Sequence, residues 1–414
     1  MRPESNLQPM HRRAFLAAIG GGAALGLPGC AGLEDPSGRG SPTSTGATAG
    51  TNRGPGEGSE PTAEAERVTS LAGQPLPIPS SELIVAAPGD AIPAITDPAF
   101  GADWAGIEIE LDDGTVVRPR LSSTDGVMGV VRNGEARAYP IRVLARHEIV
   151  NDRFHGPLLV TYCPLCASGM TAIRRVGDEA TIFEVSGKLW KSNLVLSDRA
   201  TGSYWSQLYA TAINGGATGR RLSLLPSSLT TWGEWQRAYP DGRVLLPPPR
   251  SNTVVGPVTY DYSRSFVANY EETRRESAEA NRGGLHPKTI VLGVATGAAA
   301  RAYPLPAVLE AGVIEDRVGD RPVVVTTGPD DALFGYDRRV DGATLSFAPE
   351  GPRHLRAGGS RWRRVSGVAV DGPYAGTRLD QASDLSPLFW IIWQERHPET
   401  SVYGGRGASE TTDE

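Results

Sequence analysis

The chain repeats itself, and this constrains its fold more than any other feature. In the first copy, Glu135-Ala136-Arg137-Ala138-Tyr139-Pro140 leads through an apolar-periodic segment to Asn151-Asp152-Arg153. In the second, Ala300-Arg301-Ala302-Tyr303-Pro304 leads through a similar segment to Glu315-Asp316-Arg317. Pro157-Leu158-Leu159-Val160-Thr161 matches Pro322-Val323-Val324-Val325-Thr326, and Ser203-Tyr204-Trp205 matches Ser360-Arg361-Trp362. Trp235-Gln236 with Tyr239-Pro240 answers Trp393-Gln394 with His397-Pro398. Blocks recurring in one order, about 160 residues apart, point to a repeated unit. Each copy reads as strand, helix, strand, hairpin, strand and short helix. With 50 Gly, 33 Pro and few long helical periodicities, the expected fold is α+β and strand-rich. It would comprise two similar lobes from an internal duplication, with short helices between strands.

The copies differ where chemistry would sit. Cys163-Pro164-Leu165-Cys166 aligns with Gly328-Pro329-Asp330-Asp331, and His147 aligns with Ala311. Residues needed only for folding should persist in both copies. The first lobe is therefore expected to carry a chemical site and the second to be a degenerate structural partner.

Ahead of the lobes the chain looks like an export signal and a tether. Arg12 and Arg13 precede an uncharged apolar run from Ala14 to Pro28, which is too short to span a bilayer. A charged start before a short apolar stretch is the layout of a signal peptide, and the paired arginines indicate the twin-arginine route. Leu27-Pro28-Gly29-Cys30 closes the run as a lipobox, with acylation at Cys30 and plain cleavage as the alternative. Residues 31–80 are crowded with Gly, Ser, Thr, Pro and Glu and read as a disordered linker. The expected organisation is signal and lipobox over 1–30, linker over 31–80, first lobe over 81–250 and second over 251–414. The expected location is extracytoplasmic, at the cell surface or in a periplasm, with the membrane as partner through the lipid. A net charge of −6 gives no indication of a nucleic-acid partner. A protein partner is not legible.

Several blocks resemble a known family. They are His147-Glu148-Ile149-Val150-Asn151-Asp152, Val160-Thr161-Tyr162-Cys163-Pro164-Leu165-Cys166, Val185-Ser186-Gly187 with Ser192-Asn193-Leu194-Val195, and Asp198-Arg199-Ala200-Thr201-Gly202-Ser203-Tyr204-Trp205-Ser206-Gln207. Together they are similar to domain-of-unknown-function family 3179, over roughly Leu83 to Tyr403. The resemblance implies no activity, so the chemistry must come from the residues.

The chain has three cysteines, and two of them, Cys163 and Cys166, share one motif in the mature body. Leu158 to Tyr162 is apolar and β-branched, as in a buried strand, and Met170 to Val176 reads as the returning strand. The motif is thus expected in a tight loop between strands rather than at the start of a helix. Two thiolates in such a loop suit a metal ion, with His147 as third ligand and zinc or copper equally admissible. They equally suit a redox-active dithiol in which His147 assists proton transfer. A third reading is a non-enzymatic binding module with the cysteines as a structural clip. Glu148, Asp152, Met170, Asn193 and Asp198 are candidate supporting residues. Lys188 and Asn193 are candidates for an anionic ligand. His155, His286, His354 and His397 read as loop or framework residues, and Trp205, which recurs as Trp362, as core. No nucleotide-binding motif is present, and Ala167 stands where haem attachment would need His.

Overall fold

In the computed structural model the described residues are 67–89, 91–263, 285–297 and 299–405. Arg12, Arg13, Cys30 and most of the expected linker lie outside them. The described chain is strand-rich α+β, and its four α-helices are seven residues each. No helix among the described residues is long and apolar enough to cross a membrane.

The first half is built on a hairpin, Gly126–Arg132 against Glu135–Pro140. Pro140 caps the helix Ile141–His147, and three antiparallel strands follow: Ile149–Arg153, Pro157–Cys163 and Ser168–Ile173. The same order recurs in the second half. The hairpin Ile290–Ala295 with Ala300–Pro304 feeds the helix Leu305–Ala311, then Val313–Val318, Arg321–Thr327 and Leu333–Asp337. In each half the hairpin gains an antiparallel strand on one side and a parallel strand on the other. These are Ser228–Thr231 and Arg243–Leu245 in the first half, Leu388–Phe389 and Ser401–Val402 in the second.

The repeated motif is explained by one ion pair in each half, buried at Asp152 and half-buried at Asp316. Asp152 accepts hydrogen bonds from Arg137 at 2.6 and 2.7 Å and from the Tyr139 hydroxyl at 2.6 Å. Asp316 accepts from Arg301 at 2.6 Å and from the Tyr303 hydroxyl at 2.9 Å. The carboxylate ties the hairpin to the sheet that follows the helix. Buried charges persist only when paired and hydrogen-bonded, which is why Arg, Tyr and Asp recur together.

A second recurring device is a close approach. A Cβ on Gly129 would lie 2.1 Å from the Trp235 ring, and one on Gly293 would lie 2.2 Å from the Trp393 ring. Each indole lies flat on the glycine of its hairpin. Gly129→Ala and Gly293→Ala should therefore each destabilise the protein by about 1–3 kcal/mol, through overpacking alone. Urea titration of both variants checks this; a variant as stable as the wild type would show that the indole has room to move.

Two sequence boundaries shift. The linker expected to reach residue 80 ends earlier. Ser70–Leu71 pairs with Gln74–Pro75, and Leu71 and Ile78 are buried with Leu83, Trp190, Val195 and Ile213. Polar composition hid two apolar anchors in that stretch. The first half also runs past residue 250: Asn252–Thr253 pairs with Ile95–Asp97, and Tyr262 belongs to the first half's core. The halves share one core, in which Cys163, Cys166 and Met170 pack in a cluster with Leu385, Leu388, Phe389 and Trp393.

Candidate functional site

Cys163 ends its strand, paired with Ser168 across the turn, and the Cys166 N–H donates to the Cys163 carbonyl at 3.2 Å. The motif thus forms a tight loop between strands, as the sequence predicts, although the strands reach Cys163 and Ser168 rather than stopping at Tyr162 and Met170. Both cysteines are free thiols. Leu165 between them is 68% exposed, whereas Cys163 and Cys166 are 2% and 1% exposed. The sulfurs lie directly beneath an exposed apolar tip.

A polar network grips Cys166. The Asn193 amide Nδ2 donates to Cys166 Sγ at 3.2 Å and to Gln207 Oε1 at 2.9 Å. Gln207 Nε2 donates to Thr161 Oγ1 and to the Ser168 carbonyl, and Ser168 Oγ donates to Gln207 Oε1. As a thiol, Cys166 donates to the Ser192 carbonyl at 3.5 Å. The Cys163 hydrogen bond pushes the Cys166 pKa down, assisted by Asn193 and Ser168 and opposed by burial. Cys163 is pushed well up, by its bond to Cys166, by burial and by the charges of Cys166 and Glu148. One proton shared between two sulfurs favours thiolate at Cys166 and thiol at Cys163.

Glu148 stands beside this pair. It caps the helix with φ 55, a left-handed conformation, and its N–H bonds to the Leu144 carbonyl. Its own carbonyl accepts the Tyr162 N–H, which locks it to the cysteine strand. Gly312 occupies the equivalent cap in the second half, with φ 71 and its N–H on the Val308 carbonyl. Glycine is the usual residue there; a glutamate accepts strain that glycine avoids. The Glu148 carboxyl is partly buried, and among the described residues it accepts no hydrogen bond. Burial raises its pKa to about 7. Ala167 at φ 47, and Lys191 and Ser192 at φ 50 and 56, add three more left-handed non-glycine residues around the thiols. Such outliers concentrate at functional sites.

His147 goes elsewhere. Its Nδ1 donates to the Pro93 carbonyl at 2.7 Å, and its Nε2 accepts from the Tyr262 hydroxyl at 2.6 Å. Both ring nitrogens are thus engaged, and burial holds the imidazole neutral with its pKa lowered to about 4. No group of three or more His, Cys, Asp or Glu among the described residues is arranged to hold a metal ion. The two thiols therefore have each other, Asn193 and the Ser192 carbonyl as partners, and the third metal ligand expected at His147 is not brought to them.

Of the other candidates, only Asn193 reaches a sulfur. Asp152 serves the Arg137–Tyr139 ion pair. Asp198 closes a turn, accepting from the Thr201 N–H and from Trp205 Nε1. Met170 is core, buried in the same cluster as the thiols. Lys188 lies over the Tyr204 ring, and Lys191 pairs with Glu395. Sequence reasoning gave no role to Gln207, Ser168 or Tyr262. For Gln207 a signal existed: counting from Trp205 and Trp362, it aligns with Arg364. Arg364 donates to Thr326 Oγ1, the counterpart of Thr161, and to the Gly312 and Thr327 carbonyls. In the second half a guanidinium thus holds the threonine that sequence spacing matches to Thr161.

The second half also closes the site from outside its own sheet. Ser386 Oγ accepts the Gly169 N–H at 3.0 Å, and Met170 bridges Leu385. The fold and site together define a strand-rich protein of two similarly built halves, with one buried dithiol in the first. Over residues 89–400 the chain matches the family described as Protein of unknown function (DUF3179), and it belongs to that family. Among curated proteins and among solved structures nothing matches.

Proposed function

We propose that this protein is a thiol–disulfide redox protein whose Cys163–Cys166 pair cycles between dithiol and disulfide. The observation that carries this reading is the pair of free, buried thiols in one tight loop, with the Asn193 amide bonded to Cys166 Sγ and the Cys166 pKa pushed down by Cys163, Asn193 and Ser168. The reaction partner is an external disulfide. Cys166 thiolate attacks one of its sulfurs, forming a mixed disulfide and releasing the first partner thiolate. Cys163 loses its proton to the Glu148 carboxylate and attacks Cys166 Sγ, releasing the second. Two electrons pass to the partner, the internal disulfide forms, and the reverse sequence oxidises a dithiol. Because both sulfurs are buried, the tip at Leu165 has to lift for either step.

The two halves, on this reading, descend from one duplicated unit, and the second retains the frame without the chemistry. The shared Arg–Tyr–Asp clamp and the Gly–Trp contact support that history. The twin arginines and Cys30 support an exported, lipid-anchored protein facing a space where disulfides persist.

Thiol titration of the purified full chain across a graded thiol–disulfide buffer tests the proposal. The expected result is reversible, two-electron loss of both thiols, and one persistent mixed disulfide on Cys166 in Cys163→Ser. Stoichiometric zinc or copper protecting both thiols until chelation, or thiols inert to oxidation in the native state, would overturn it.

A further inference from the structure

The halves also meet at a cleft of about 220 Å³ that is lined by none of the residues bonded to the dithiol. One wall is the helix Trp232–Ala238 of the first half, carrying Glu234 and Arg237. The other is the second-half segment around His354, carrying Arg353 and Arg363. Glu234 is the cleft's one lining carboxylate and is buried. It is shared: Arg237 Nη1 approaches at 2.6 Å, and Arg353 grips it through Nη2 at 2.9 Å and Nε at 3.2 Å.

Three guanidiniums therefore face one carboxylate. Arg363 has no side-chain ion pair or hydrogen bond among the described residues, and it is exposed. Its neighbours outside the cleft are neutralised differently: Arg361 pairs with Asp371 and Arg356 with Glu350. Burial lowers the His354 pKa, and the charges of Arg361 and Arg363 lower it further. Ala238 and Val365 complete the lining with apolar surface. A concave site holding unneutralised guanidinium forks beside a small apolar wall is built for a planar or tetrahedral oxyanion, which such forks grip through paired N–H donors.

We infer that this cleft between the halves is a binding site for a small ligand bearing a phosphate or carboxylate group, with Arg363 as its principal anchor. Arg237 and Arg353, fixed by Glu234, form the sides of the cradle. The site is independent of the dithiol and does not require the redox reading.

Calorimetric titration of the full chain with inorganic phosphate, and separately with succinate, at ionic strength held constant with chloride, tests the inference. Saturable binding of at least one probe is expected. Phosphate alone would assign a phosphate ligand, and succinate alone a carboxylate. Arg363→Gln should weaken binding by roughly tenfold or more, the loss expected when a hydrogen-bonded charge is removed. Arg237→Gln should also weaken it, while Arg356→Gln, outside the cleft, should bind as the wild type. Absence of saturable binding of both probes up to about 50 mM, well beyond a millimolar site, or unaltered binding in both Arg363→Gln and Arg237→Gln, would overturn it.

Discussion

His147→Ala should destabilise the protein by about 3–5 kcal/mol at pH 7 and leave the cysteines' redox behaviour intact. The imidazole is fully buried and joins two distant points, the Pro93 carbonyl and the Tyr262 hydroxyl. Its removal leaves a cavity and orphans both partners, each orphan costing about 1–3 kcal/mol. The pH dependence identifies the cause. The folded pKa of about 4 lies below the ordinary imidazole value of 6.5, so the neutral ring contributes stability that is complete above 6.5. That contribution is lost as pH falls through 4, by about 3 kcal/mol in all. The wild type loses it and the alanine variant has none to lose, so the gap between them should narrow by that amount from pH 7 to pH 4. Chemical denaturation of both proteins at the two pH values measures it. A gap that does not change would remove the buried neutral imidazole as the source. A simultaneous loss of Cys163–Cys166 redox cycling in the folded variant would return His147 to the site.

The same residue shows what could be read from the sequence and what could not. Its absence from the matching block, where Ala311 stands, marked it as special. But its partners are 54 and 115 residues away, outside the repeated blocks, so the asymmetry reflects a clamp rather than a ligand. Pro93 and Tyr262 have no counterpart in the repeated pattern, and nothing in local spacing reveals them. The cysteine loop was legible because the β-branched run Leu158 to Tyr162 is a local signal with period and end. The hairpins and seven-residue helices were legible because Arg-Ala-Tyr-Pro appears twice. Asn193 and Gln207 converge on the loop only once the sheet carrying Asn193–Asp198 and Tyr204–Ser206 packs against it. The ordered stretch before residue 80 was hidden because two apolar residues, Leu71 and Ile78, decide it against a polar background.

The second half's contribution to the site is also tertiary. Ser386 and Phe389 reach across to Gly169 and to the Cys166 carbonyl from positions more than 200 residues away. A half that carries no thiols thus still sets the depth at which the thiols sit. In that half Arg364 donates to the Gly312 carbonyl and a glycine takes the helix cap, while Ser386 and Phe389 cover the dithiol loop of the first. Depth matters for the chemistry, because burial raises Glu148 and adds to the Cys166 hydrogen bond in raising Cys163.

Glu148→Gln should stabilise the protein above neutral pH and remove an inflection near pH 7 from the rate of thiol–disulfide exchange. The folded pKa of about 7 is above the ordinary glutamate value of 4.5, so the protonated carboxyl is the form the fold prefers. The associated stability is complete below 4.5 and is lost as pH rises through 7. The shift corresponds to about 3 kcal/mol, and partial solvent access reduces the measurable loss to roughly 1–3 kcal/mol. Glutamine keeps the shape and the left-handed cap strain but carries no charge, so the two proteins should match near pH 4 and diverge in glutamine's favour by pH 8. The exchange rate separates the mechanistic role from the stability effect. On the proposed mechanism the carboxylate accepts the Cys163 proton, and by its charge it raises both thiols, so rate should follow its ionisation. In Glu148→Gln the second thiol must lose its proton to water, slowing closure of the internal disulfide while the first attack by Cys166 remains. Stopped-flow trapping of the mixed disulfide would show it accumulating in the variant. Wild-type closure rates in Glu148→Gln, with the pH 7 inflection intact, would show that the strained cap carries no proton for the pair. A position where glycine would fold better, held by a glutamate that costs stability whenever it ionises, is hard to account for by folding alone.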